Sequence, residues 1–145
     1  MLTREEKRLK QLLQLFIFLF AAAGLSFGIL PGLILGQLNR LALKVAPTLP
    51  TIPDTDNRFW VALTVSMMAT ITALCYGAQS DIRRKKDLVV YVLIAKAFST
   101  LFFLIYFLLG AHSLPYLFGS LVDGPIFIVL WAFYRRAARS SQLTL

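Results

Sequence analysis

The chain has 145 residues, 58% of them drawn from the apolar set and only 15% charged, against roughly 25% charged in an ordinary soluble domain. A soluble protein of this size has too little interior to hide so much apolar side chain, and a disordered chain would be poor in it. A single cysteine excludes a disulfide scaffold and any multi-cysteine metal cluster. The net charge of +8 invites a nucleic-acid reading, but its placement argues otherwise. Four basic residues lie in the N-terminal tail (Arg4, Lys7, Arg8, Lys10), four in one run (Arg83, Arg84, Lys85, Lys86) and three near the end (Arg135, Arg136, Arg139). Each cluster abuts a long apolar segment, as the positive-inside rule requires of cytoplasmic loops. The bilayer is the expected partner, and nucleic acid is not.

Four segments are long enough to cross a hydrocarbon core of roughly 30 Å, at about 12–35, 59–78, 88–110 and 114–134. Their continuous apolarity lacks a barrel's alternation, so helices are predicted. The fold class is therefore all-α: a polytopic four-transmembrane-helix bundle forming a single membrane domain over 1–145. An outer loop is expected at 36–58 and a cytoplasmic loop at 79–87. The two outer connections hold only three lysines and arginines, Arg40, Lys44 and Arg58, which puts both termini in the cytoplasm and the chain in the cell (inner) membrane. Ala21, Ala22 and Ala23 after a basic start resemble a signal-peptide cleavage site. The apolar run continues to Leu35, however, and is longer than an h-region.

Gly24, Gly28, Gly32 and Gly36 recur every fourth residue along the first span. Small residues at that spacing let helix backbones approach closely. The stripe is read first as packing against the chain's own helices and second as a contact with a partner protein or a second copy. Pro31 is expected to kink the helix. In the outer loop, residues 38–45 read as a short amphipathic interfacial helix. Pro47, Pro50 and Pro53 then stiffen the chain. Asp54 and Asp56 lack the spacing of a calcium loop, and Asp56 or Asn57 is the expected N-cap of the second span. Phe59 and Trp60 read as interfacial anchors, and Cys75 as an inert buried thiol. A tight turn at 111–113 makes the third and fourth spans an antiparallel hairpin.

Two ionisable residues of opposite sign fall inside spans, Lys96 and Asp123. An intramembrane charge costs at least about 2.5 kcal/mol on insertion scales, so each should face the bundle interior and find a partner. At 1.5 Å per residue, Lys96 lies about 12 Å and Asp123 about 16 Å from the inner ends of their helices. Adjacent helices and a long lysine make a pair feasible. Ser99 and Thr100 share the Lys96 face, and Gly119, Ser120 and Gly124 surround Asp123. Three readings follow, in order of preference: a structural pair, a pocket for the polar head of a lipid, quinone or isoprenoid with its tail among Phe98, Phe102, Phe103 and Phe127, and a proton-coupled relay. No catalytic constellation assembles, because His112 is the only histidine and Asp123 has no second acid. No metal site or cofactor is expected.

The four-span layout, the first span ending in Gly28-Ile29-Leu30-Pro31-Gly32, and the last carrying Asp123-Gly124 ahead of Tyr134-Arg135-Arg136 together resemble the DoxX-like group of small bacterial membrane proteins. The resemblance implies a membrane-embedded accessory subunit or a small-molecule binder. The expected role is accessory or assembly subunit of a larger membrane system. The alternatives are a binder or carrier of a small lipophilic molecule and, behind it, a proton-coupled transporter.

Overall fold

The computed structural model describes residues 2–51, 58–110 and 112–142, with the side chains of Arg58, Ser141 and Gln142 left aside. The described chain is all-helical: α1 (Arg4–Ile29), α2 (Pro31–Val45), α3 (Arg58–Ser80), α4 (Asp87–Leu109) and α5 (Leu114–Gln142). α1, α3, α4 and α5 are long and apolar enough to cross a membrane, so the protein is a multi-pass helical membrane protein. α1 packs mainly on α3, and α4 on α5. Lesser α1–α5 and α3–α4 contacts close the ring of four.

α1 begins eight residues before the apolar run does, because its start is set by a cap. The Thr3 hydroxyl accepts from the Glu6 backbone N–H at 3.2 Å, and the Glu6 carboxylate accepts from the Thr3 N–H at 2.7 Å. This reciprocal capping box pairs two donors that the first helical turn would otherwise leave open. α1 also ends earlier than expected. The predicted single span over 12–35 is broken at Leu30 (φ −130°, ψ 50°), and Pro31 opens α2. Proline lacks the N–H that would continue the ladder and drives the preceding residue out of the helical region, whereas at a helix start it costs nothing. Pro31 therefore divides two helices instead of kinking one. The amphipathic segment expected at 38–45 belongs to the full-length α2, in which only Ala42 is buried. The expected N-cap at Asp56 or Asn57, and Pro53, Asp54 and Ala111, lie outside the described residues.

That break also corrects the glycine stripe. A Cβ on Gly24 would lie 3.1 Å from Met68 Cβ and one on Gly28 3.5 Å from Val65 Cγ2, so both admit α3 closely. Gly32 and Gly36 stand on α2 with nothing within 4 Å. Only the first two glycines pack helices of this chain together. Gly24→Ile is accordingly expected to lower stability by about 1–3 kcal/mol through overpacking, whereas Gly36→Ile should leave the melting temperature in detergent unchanged.

The buried core is formed by Leu9, Leu13, Phe16 and Phe20 of α1, Ile71, Cys75 and Ala78 of α3, Val89, Val92 and Leu93 of α4, and Leu130 and Ala137 of α5. The α1 set recurs at helical spacing and forms one stripe. The start of α1, the last turn of α5 and the turn at 81–86 share one end of the bundle. The Thr3 and Ser140 hydroxyls lie 3.0 Å apart there, and Arg83 Nε donates to Glu6 Oε1 at 3.2 Å. All three basic clusters thus gather at that end. At the opposite end His112 adopts a left-handed φ of 47°, and its Nδ1–H donates to the Phe107 carbonyl at 2.8 Å.

Candidate functional site: a buried ion pair and an apolar groove

The antiparallel α4–α5 hairpin brings Lys96 and Asp123 together. Lys96 Nζ donates to Asp123 Oδ1 at 2.7 Å, and the two residues are 2% and 9% exposed. The Ser99 hydroxyl, one turn along α4, donates to the other carboxylate oxygen, Oδ2. From the far side of the bundle, the Phe20 ring of α1 lies 4.6 Å from Lys96 Nζ, a cation–π contact that is stronger away from water. Both carboxylate oxygens are thus engaged and the ammonium is covered. Paired and hydrogen-bonded in this way, buried charge becomes tolerable at membrane depth.

The neighbouring residues divide. Thr100 turns its hydroxyl back to the Lys96 carbonyl at 2.7 Å and its methyl towards Gly124. Its hydroxyl is thus spent within α4, and no hydrogen bond joins it to the Lys96 or Asp123 side chain. Ser120 is half-buried on α5, and no hydrogen bond joins it to Lys96 or Asp123. The expected aromatic chamber does not form around the pair. Phe98 and Phe102 stack on each other on the outer surface, 57% and 49% exposed. Phe103 lies against Gly119, filling the space that a Cβ would need, and Phe127 packs on the core. Pro125, two residues past Asp123, removes the N–H that would bond the Leu121 carbonyl, yet α5 continues through it.

An apolar groove of about 560 Å³ lies on the other side of the bundle, between α1 and α3. Ala21, Gly24 and Gly28 of α1 face Ala69, Ala73 and Tyr76 of α3 across it. The same small residues that let the helices meet also leave space beside the contact. Thr72 lines the groove, but its hydroxyl is already bonded to the Met68 carbonyl at 2.7 Å. Phe20 belongs to both places, since its ring forms part of the groove wall and covers Lys96.

Sequence patterning missed two features, the groove and Glu6. Glu6, only 2% exposed, is the buried acid of the basic end. Thr3 followed three residues later by Glu6 ahead of an apolar run is the capping-box signature, and it could have been found in the sequence. The described residues hold no group of three or more histidine, cysteine or acidic side chains able to bind a metal. Comparison of the chain with known protein families, with curated proteins and with solved structures finds no match.

Proposed function

We propose that the protein binds a small lipophilic molecule in the α1–α3 groove, with its basic end in the cytoplasm and the chain in the cell (inner) membrane. The observation that supports this reading is the groove itself, an apolar volume of about 560 Å³ within the membrane-spanning part of two helices. Ligand sites in proteins are commonly apolar clefts of this size. The Lys96–Asp123 pair then serves as scaffold, since Lys96, Ser99 and Phe20 occupy the groups that a polar head or a proton relay would need. A DoxX-like role as a small-molecule binder agrees with this reading.

A second reading, an accessory or assembly subunit, draws on a different observation. Gly32 and Gly36 present an open small-residue face on α2, where a partner helix could approach closely. Gentle extraction from the native membrane followed by native mass spectrometry separates the two. A lone chain carrying a retained small molecule is the expected result. A stoichiometric second polypeptide that Gly36→Leu releases, with no small molecule retained, would overturn the binder in favour of the subunit.

A further inference from the structure

We infer that the occupant of the α1–α3 groove is an anionic phospholipid, with one acyl chain in the groove and its phosphate at Lys10. The inference rests on the binder reading and adds the chemistry of the head. Along α1 the groove runs from Ile17 to Ile29, twelve residues or about 18 Å. That is close to the depth of one leaflet's hydrocarbon, roughly 15 Å. Apart from Tyr76 at one end, the lining is apolar or, at Thr72, already hydrogen-bonded within its own helix, so hydrocarbon is what the groove suits, and selectivity must come from what lies at its ends.

The two ends differ. Ile29 and Val65 close the far end with apolar side chains. At the near end Tyr76, 63% exposed, stands where α3 approaches the basic end, the depth at which tyrosine meets ester and headgroup. Lys10 lies seven residues before Ile17, two helical turns along the same face, and about 10 Å nearer the headgroups. The acids at this end are largely spent. Glu5 pairs with Arg8 at 3.1 Å, Glu6 with Arg83 at 3.2 Å and Asp81 with Arg84 at 3.9 Å, while Asp87 opens α4. Among the described residues no ion pair claims Lys10. A negative phosphate at Lys10 complements this surplus, and the chain below it leads into the groove.

The test reconstitutes the full chain in nanodiscs holding equal phosphatidylglycerol and phosphatidylcholine with identical acyl chains, and reads the retained lipid by native mass spectrometry. Phosphatidylglycerol should be retained on the order of tenfold over phosphatidylcholine. Lys10→Gln should reduce that preference several-fold, whereas Arg139→Gln on α5 should leave it intact. Ala73→Phe, at an exposed position lining the groove, should remove retention of both lipids without changing the melting temperature. Equal retention of the two lipids, lost in Ala73→Phe, overturns the anionic head and leaves the groove reading standing. A preference indifferent to Lys10→Gln, or reduced as much by Arg139→Gln, also overturns it, because the charge would then act diffusely. Absence of any retention that Ala73→Phe removes overturns both readings.

Discussion

Asp123→Asn is expected to cost the bundle about 3–5 kcal/mol, the usual consequence of removing one partner from a buried ion pair. The amide keeps the size of the carboxylate and can still accept from Lys96 Nζ, so the loss would come from the charge. Lys96 is 2% exposed and its ammonium faces the Phe20 ring, which leaves an uncompensated cation little access to water. Ser99 loses a charged acceptor as well. The double variant Lys96→Met, Asp123→Leu should recover most of that stability, because apolar groups of similar volume often replace a buried pair at no cost and suit a lipid environment. Thermal melting of each variant in bicelles reads the comparison. An Asp123→Asn protein that melts like the native one would show that the pair does not hold the hairpin. The double variant also tests the pair's role. Because Phe20 covers Lys96 and lines the groove, a stable double variant that still retains a lipophilic molecule would assign the pair to structure. A stable one that had lost the molecule would assign it to binding.

The reach of the sequence can be judged residue by residue. Continuous apolar runs placed the spans, since a lipid-facing helix has to be apolar throughout its crossing. Lys96 and Asp123 could be paired because two depths and a short hairpin constrain the partners strongly. Ser99 could be recognised on the Lys96 face, but Ser120 could not be excluded, because a rotation of α5 too small to change the pattern decides which side of Asp123 faces α4. Hydropathy could not place the break at Leu30, since the apolar run passes through it unchanged, and the break is due to proline's missing N–H and its effect on the residue before it. The groove was less legible still. Gly24, Gly28, Ala69 and Ala73 are all small, but smallness predicts both close approach and adjoining space. Only the three-dimensional course of α1 and α3 shows where each occurs.

Glu6→Ala is expected to destabilise the protein by about 2 kcal/mol, from two contributions of different kind. Loss of the Glu6 half of the capping box costs about 1 kcal/mol, the net worth of a hydrogen bond, because the Thr3 N–H loses its acceptor while the Thr3 hydroxyl still accepts from the backbone N–H of residue 6. The bond to Arg83 adds up to about 1 kcal/mol, discounted because that arginine side chain is 47% exposed. Glu6→Gln separates the two. Glutamine serves at this position of a capping box, so the cap is kept while the charge is lost, and the expected cost falls below about 1 kcal/mol. Salt dependence supplies an independent check. Glu6 lies beside the 83–86 cluster of four cations, and removing its charge leaves Arg83 facing Arg84, Lys85 and Lys86 with less compensation. Salt screens such repulsion, so the penalty of either substitution should shrink as ionic strength rises. A purely local capping role would give Glu6→Gln no penalty at any salt concentration. Hydrogen exchange should show where the loss falls: the first turn of α1 and the 81–86 turn would lose protection together, because the Glu6 carboxylate bonds to both.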